Sequence, residues 1–185
     1  MSSTLSLEFA HAVVYVVDME KILDFYTRVL GFEVTDRGPL GEREIVFLSQ
    51  TADHHHQIAF VDSRNEAGRS NSVDHLAFRS SGSLAALRAL HDALQAEPEV
   101  SGIRPLTHGN AWSVYFRDPE GNGIEVFIDT PWHVQQPQGK PLDFSMDDDA
   151  LLAWTKEAFE ADGAELSPLG EFYAARGEHL AQRSD

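Results

Sequence analysis

Residues 11–32 read HAVVYVVDMEKILDFYTRVLGF, and residues 75–94 read HLAFRSSGSLAALRALHDAL. Each stretch opens on a histidine, continues as a strand-like apolar run and ends in a pattern typical of an amphipathic helix. Aligning the two histidines also pairs hydrophobic helix positions, Leu23 with Leu87 and Leu30 with Leu94. The chain therefore contains a degenerate internal repeat.

Each copy of the repeat predicts the same order of elements. The first helix is expected from about Asp18 to Leu30, where Gly31 ends it, and the second on the spacing of Leu84, Leu87, Leu90 and Leu94, with Ser83 or Gly82 near its N-cap. Three short strand-like runs follow each helix: Phe32 to Asp36, Glu44 to Leu48 and Gln57 to Val61, then Ile103 to Thr107, Trp112 to Arg117 and Gly123 to Ile128. Each half thus predicts a βαβββ unit.

Two histidines and one glutamate occupy related positions in this repeat. His11 and His75 open the two copies, and Glu125 lies in the last strand of the second copy. Two imidazoles and one carboxylate form the facial set that holds divalent iron and leaves coordination sites open. The chain has no cysteine, so imidazoles and carboxylates are its strong ligands. His11, His75 and Glu125 are the predicted metal ligands.

Composition limits the other classes of function. The chain has 185 residues, 42% of them hydrophobic, which is enough for one full core. Its formal net charge of -16 would repel a phosphate backbone, so we expect no nucleic-acid partner. It has neither a signal-like N-terminus nor an apolar run of membrane length, so we expect no membrane partner and a cytoplasmic location.

With these residues in view, the chain resembles the vicinal oxygen chelate superfamily. Within that superfamily it is most similar to the one-domain type I extradiol catechol dioxygenases, of the biphenyl-2,3-diol 1,2-dioxygenase III type. The segments that carry the resemblance are YTRVLGF, HHHQIAF, VDHLAFR, HGNAWSVYFRDPEGNGIEVFIDTPW and LDFSMDDDALLAWT. The similarity extends from about Phe9 to Thr155, and the stretch from His108 to Trp132 is its most specific part.

The resemblance implies an α+β fold in which two βαβββ modules form a cupped mixed sheet around a metal site, followed by a helical C-terminal tail. The expected division is residues 7–62 and 73–130 for the modules and 131–185 for the connector and tail. It also implies an oxidoreductase of aromatic hydrocarbon catabolism that uses Fe(II) or Mn(II) to cleave an aromatic diol with O2. Exposed sheet edges and an amphipathic tail favour a homo-oligomer.

The resemblance further implies three residues that act beside the metal. His56, immediately before the strand QIAF, takes the place of the acid/base, with His55 as its rival because a one-residue shift exchanges strand faces. His108 and Tyr115 take the places of hydrogen-bond donors around the bound catechol. From the residues alone, the histidine run 54–56 could equally be an exposed loop, Tyr115 a core aromatic and His108 a turn residue.

Two other functions remain open. A glyoxalase-like isomerase or lyase of the same superfamily would need a fourth protein ligand, for which His56 or Gln57 is available. A metal-free small-molecule binding protein of this fold would have no need of the triplet His11, His75 and Glu125. Fold alone does not decide among these functions.

The tail is predicted to begin as an irregular connector. The segment PWHVQQPQGKP, residues 131–141, is punctuated by proline, and a helix is expected from about Asp147 to Glu160. A loosely ordered end with a short helix near Glu171 to Gln182 follows in the prediction. His133 and His179 are assigned only surface or packing roles.

Overall fold

The structure is a computed structural model that describes residues 7–182. The first half forms a four-stranded sheet in the order β1-β4-β3-β2, in which β1 and β4 are parallel and the other pairs antiparallel. Its strands are β1 Ala12–Val16, β2 Glu33–Leu40, β3 Arg43–Ser49 and β4 Ile58–Asp62. The predicted strands are all present and differ from the observed ones mainly in length.

The helix of the first half begins where its sequence predicts. Helix α1, Met19–Asp24, continues without interruption as a π-helix over Phe25–Val29. The Asp18 carboxylate caps it by accepting from the backbone N–H of Lys21 at 3.1 Å. Gly31, at φ +75°, ends the helix in a backbone conformation that glycine adopts without a steric penalty.

The second half repeats this arrangement with one added strand. Its five-stranded sheet has the order β10-β6-β7-β8-β5, with β5 parallel to β8. The strands are β5 Leu76–Arg79, β6 Ser101–Thr107, β7 Ala111–Arg117, β8 Gly123–Asp129 and β10 Lys140–Pro141. Helix α2, Leu84–Ala96, is capped by Ser83, as predicted. The α+β architecture of two βαβββ units is confirmed, while the proposed boundaries at residues 7–62, 73–130 and 131–185 stay a prediction.

The two halves share one hydrophobic core. The ring of Phe25 in the first helix meets the ring of Phe116 on β7, with centroids 6.1 Å apart, and Phe32 meets Phe78 on β5 at 5.4 Å. These rings continue into a single cluster of buried side chains from both halves. The sheets are therefore held in place by aromatic packing between them.

The turn between β7 and β8 joins the two halves through two buried carboxylates. The sequence indicates a turn at this place but not that its carboxylates are buried. Glu120 is 2% exposed and accepts hydrogen bonds from the backbone N–H groups of Val17 and Asp18 at 2.9 and 2.7 Å. Asp118 is also buried and accepts from the Tyr26 hydroxyl at 3.2 Å and from the backbone of Asn122. The turn between β7 and β8 thus anchors the start of the first helix.

The connector differs from its prediction, because it contains regular structure. Strand β9, Trp132–Val134, pairs with β11, Leu166–Pro168, and β10 extends the second sheet beyond β6. Strands of two or three residues show no periodicity in the sequence, and their partners lie far along the chain. Their formation is decided by the tertiary pairing.

The C-terminal helices are present as predicted. Helix α3, Asp148–Ala161, is capped by Asp147 and buries Leu151 and Phe159 completely. The indole N–H of Trp112 on β7 donates to the hydroxyl of Thr155 at 2.9 Å, which ties α3 to the second sheet.

Helix α4, Leu169–Gln182, has no buried side chain and is longer than the predicted short helix. The ring of Phe172 stacks on His133 at 3.7 Å, so His133 has the packing role assigned to it. Residues 183–185 of the predicted tail lie outside the described residues. Across residues 7–182, no helix has both the length and the apolar character that crossing a membrane requires.

We expect Glu120→Ala to lower the free energy of unfolding by about 2–4 kcal/mol, because two backbone N–H groups lose a charged acceptor. Urea denaturation checks this. The control is Glu99→Ala, which removes an exposed ion pair with Lys21 and should cost less than about 1 kcal/mol. Equal losses in the two variants would contradict the anchoring role of Glu120.

Candidate metal and substrate site

The last strands of the second sheet place the predicted carboxylate opposite the predicted tyrosine. Tyr115 on β7 pairs in register with Glu125 on β8, which in turn pairs with Ala77 on β5. Directly opposed residues of neighbouring strands project to the same face of a sheet. The side chain of Glu125 is only 9% exposed, so this face carries a nearly buried carboxylate.

His75 lies against this carboxylate. Its Nε2 is 3.3 Å from Oε2 of Glu125, while its Nδ1 is 2.9 Å from Oδ2 of Asp74. When Nδ1–H donates to Asp74, Nε2 of a neutral imidazole presents a lone pair to an oxygen that can only accept. The two atoms are then compatible only with a cation between them, either a metal ion or a proton on Nε2.

The His75–Glu125 pair has two features expected of ligands to a divalent metal. An imidazole nitrogen and a carboxylate oxygen converge, and the second imidazole nitrogen is oriented by a carboxylate, as is usual for metal-ligating histidines. The hydrogen bonds from His75 and Arg69 hold the pKa of Asp74 below its ordinary value. Gly123 makes room for this arrangement, since a Cβ there would overlap the carbonyl oxygen of Asp74.

His108 and Tyr115 extend the same cluster. Nε2 of His108 is 2.8 Å from the Tyr115 hydroxyl, and its Nδ1 is hydrogen-bonded to the carbonyl oxygen of Gln138. Because a carbonyl only accepts, Nδ1 carries the hydrogen, and Nε2 of the neutral ring accepts from Tyr115. Burial, together with the hydrogen bond and negative charge of Glu125, raises the pKa of Tyr115 well above its ordinary value. Tyr115 is therefore a protonated donor.

The other two predicted histidines meet beside the first sheet, where His11 precedes β1 and His56 precedes β4. The rings of His11 and His56 are 4.2 Å apart, and His56 also packs against Phe47 of β3 at 4.9 Å. Burial, and then the nearby His11 and His55, lower the pKa of His56. His55 is exposed, and its Nδ1 lies 3.0 Å from Nδ1 of His56. Of the two rivals, His56 is the one in contact with His11.

The structure thus brings four of the predicted residues, His75, Glu125, Tyr115 and His108, into one cluster, and it sets His11 against His56. Within residues 7–182, no group of three or more histidine, aspartate or glutamate side chains has the geometry to hold a metal ion. His11 directly precedes β1 of the first sheet, whereas His75 directly precedes β5 and Glu125 lies on β8 of the second sheet. The triplet as a complete set stays a prediction.

A cavity of about 390 Å³ links the beginnings of the two edge strands. It is lined on one side by Ala12 and Val13 of β1 and on the other by Leu76 of β5 and by Val73. Neither His11 nor His75 lines this mainly apolar space, although each directly precedes a residue that does. A larger cavity of about 800 Å³ lies in the tail, lined by His133 and by residues 135–138 and 162–167. Two of these residues, Gln136 and Gln138, are hydrogen-bonded to His108.

Two residues at the site were missed by the sequence reasoning. Asp74 orients His75, and its position immediately before that histidine was a signal available in the sequence. Arg104 lies over the Tyr115 ring, with Cζ 5.3 Å from the ring centroid. Arg104 could not be found from the sequence, because only the pairing of β6 with β7 brings it next to Tyr115.

Comparison with known proteins gives a family and relatives of low identity. The model of the Glyoxalase/Bleomycin resistance protein/Dioxygenase superfamily matches residues 8–126. Metapyrocatechase from Geobacillus stearothermophilus is 27% identical over 139 residues, covering 72% of this chain and 38% of that protein. Biphenyl-2,3-diol 1,2-dioxygenase 2 from Rhodococcus globerulus is 28% identical over 133 residues, covering 68% of this chain and 65% of that protein. The chain thus spans less than two thirds of either relative.

A solved structure shows a similar fold. It is the glyoxylase/bleomycin resistance protein/dioxygenase domain from Frankia sp. EAN1pec, with a TM-score of 0.58 and 20% sequence identity. The match covers 70% of this chain and 96% of that domain. At this identity the likeness concerns the fold alone.

We expect Asp74→Ala to weaken binding of Fe(II) or Mn(II) by roughly 10- to 100-fold, because His75 loses the group that orients its ring. Anaerobic metal titration followed by calorimetry measures the change. The matched control is Asp92→Ala, since Asp92 also adjoins a histidine, His91, but outside the site. Unchanged affinity in Asp74→Ala would argue against metal binding by His75.

A second set of variants tests the triplet. His11→Ala, His75→Ala and Glu125→Ala should each lower the metal affinity by at least about tenfold, if all three side chains are ligands. His133→Ala, in the tail, serves as the control. Full affinity in His11→Ala would remove His11 from the ligand set and leave the pair on the second sheet.

Proposed function

The chain belongs to the glyoxalase/bleomycin resistance protein/dioxygenase superfamily, and from this premise we propose that it is a metal-dependent extradiol dioxygenase that cleaves catechols with O2. The observation that carries the proposal is the His75–Glu125 pair, in which an imidazole nitrogen lies 3.3 Å from a nearly buried carboxylate oxygen beside the hydrogen-bonded Tyr115 and His108. The two curated relatives bear the names of enzymes with this chemistry, which supports the same assignment.

The metal would be held by His75 and Glu125, with His11 as the third ligand. Nitrogen and oxygen donors without thiolate suit Fe(II) or Mn(II). Such an ion supplies Lewis-acid and electron-transfer chemistry to a catechol and O2 bound on its open side. The protein's part is to hold the ring in position and to move its protons.

Tyr115 and His108 would orient the bound catechol. The Tyr115 hydroxyl stays protonated, and its one O–H, which is directed at Nε2 of His108, would turn to a catechol oxygen as that oxygen gains negative charge. His108 is fixed by the Gln138 carbonyl through Nδ1, which leaves Nε2 directed at Tyr115. The hydrogen bond from Tyr115 to His108 would then be replaced by one from Tyr115 to the substrate.

His56 would serve as the acid/base. Its ring lies against His11, so a substrate hydroxyl near the third proposed ligand would be within its reach. A neutral imidazole can accept the hydroxyl proton and return it when the ring opens.

The same contact between His11 and His56 favours one alternative, a glyoxalase-like isomerase in which His56 is a fourth ligand. Gln57, the other residue available for that role, is engaged elsewhere, because its Oε1 accepts from the backbone N–H of Gln50 at 2.9 Å. The two functions differ in the task of His56. In the dioxygenase it moves protons, and in the isomerase it binds metal.

Anaerobic reconstitution with Fe(II), and separately with Mn(II), tests the proposed function. The protein is then mixed with O2 and a panel of catechols, including 2,3-dihydroxybiphenyl and 3-methylcatechol, while oxygen uptake and visible absorbance are recorded. A yellow product with one O2 consumed per catechol is the expected result. Stoichiometric metal binding without oxygen uptake would favour the isomerase, and failure to bind metal would favour a binding protein.

For His56→Ala we expect a loss in kcat of at least about 100-fold with the metal content unchanged, since general acid/base catalysis contributes on that scale. Metal analysis and single-turnover kinetics of the same sample provide both numbers. His55→Ala and the exposed His54→Ala are the matched neighbours and should retain most of the activity. Loss of metal in His56→Ala would instead identify His56 as a ligand.

A further inference from the structure

A charged side chain that the proposed chemistry does not use stands at the edge of the site. Arg104 on β6 pairs in register with Tyr115, and Tyr115 pairs with Glu125. The three side chains therefore form a row across neighbouring strands on one face of the second sheet. The guanidinium of Arg104 lies over the Tyr115 ring, 5.3 Å from its centroid.

This guanidinium has no acidic partner. Within the described part of the chain, the Arg104 side chain makes neither a hydrogen bond nor an ion pair, and its contact is with the face of Tyr115. The other arginines on this sheet are engaged: Arg79 forms an ion pair with Asp129, and Arg117 donates to the carbonyl oxygen of Asp74. Arg104 is exposed, so its N–H groups are accessible to a ligand from solution.

The surroundings of Arg104 suit a planar anion. A guanidinium presents paired N–H donors that match the two oxygens of a carboxylate. The Tyr115 ring supports the guanidinium from one side and leaves its N–H edge free. No other positive group has been identified on this row, so the site offers one directed contact for one negative charge.

The position also fits an anionic group attached to an aromatic ring. Arg104 and Glu125 are two strands apart, which separates their backbones by about 10 Å. A ring whose hydroxyls lie near His75 and Glu125 would lie beside the Tyr115 hydroxyl, and a side chain on its far edge would extend toward the Arg104 guanidinium on the Tyr115 ring. A substituent without charge would gain nothing from that contact.

From this row we propose that Arg104 binds a carboxylate carried by the substrate, so that the enzyme acts on catechols with an acidic side chain in preference to neutral ones. This inference rests on the proposed function. Arg104 would also attract an anionic substrate locally, whereas the net charge of -16 of the whole chain repels it.

The test compares acids with their methyl esters, which keep the shape of the ligand and remove its charge. The pairs are 3,4-dihydroxyphenylacetate and 3-(2,3-dihydroxyphenyl)propionate with their esters. Binding to the Fe(II)-reconstituted protein is measured anaerobically by calorimetry, and kcat and KM are measured with O2. The variants are Arg104→Met, Arg104→Lys and, as a charge-matched control on α4, Arg176→Met.

We expect wild-type protein to bind at least one acid more tightly than its ester, and Arg104→Met to lose roughly 10- to 100-fold in affinity for that acid. The loss should appear in KM more than in kcat, and affinity for the ester should change less than threefold. Arg104→Lys should recover part of the affinity, because it keeps the charge without the paired donors. Arg176→Met should behave as wild type.

The inference is overturned if acid and ester bind equally well, if neither binds, or if Arg104→Met weakens both alike. The last result would mean that Arg104 merely supports Tyr115. Turnover of neutral catechols with no preference for acids would reject this inference and leave the proposed function intact. Selective anaerobic binding of an acid without turnover of any catechol would support the role of Arg104 and reject the dioxygenase.

Discussion

The geometry of the site depends on the buried carboxylate of Glu120. This side chain carries no part of the proposed chemistry, yet it accepts the N–H groups of Val17 and Asp18 and so ties the second sheet to the start of the first helix. A buried charge is tolerated only when its acceptor capacity is filled. Asp118 stabilises the same turn by accepting hydrogen bonds from Asn122. Burial raises the pKa of the Asp118 carboxyl despite these hydrogen bonds.

The strands on either side of this turn, β7 and β8, pair in register, and this pairing sets Tyr115 opposite Glu125. The cluster then continues in both directions, to Asp74 through His75 and to the Gln138 carbonyl through His108. The connector after the second sheet is thus part of the site. The connector contacts both the side chain and the backbone of His108, because the Gln136 side chain also donates to the His108 carbonyl oxygen at 2.8 Å.

Much of the architecture could be predicted because the signals are local. The helix starts are indicated by the capping residues Asp18, Ser83 and Asp147. Their side chains accept hydrogen bonds from backbone N–H groups in the first turns of their own helices. Strands with alternating apolar residues were recognised in both halves. The short strands β9, β10 and β11 were not, since each forms only because a distant segment offers a free edge.

By itself, the sequence determined the repeat, the helix and strand order and the three proposed ligands, because these follow from periodicity, capping and the kinds of side chain present. The α+β class and the candidates His56, His108 and Tyr115 came from the family resemblance. Only the tertiary structure decided which candidates meet. It set His75 against Glu125 and Arg104 over Tyr115 through strand register, and it turned the charged residues of a surface-like turn, Asp118 and Glu120, into buried acceptors. Register and burial depend on contacts between segments far apart in the chain, which no local pattern encodes.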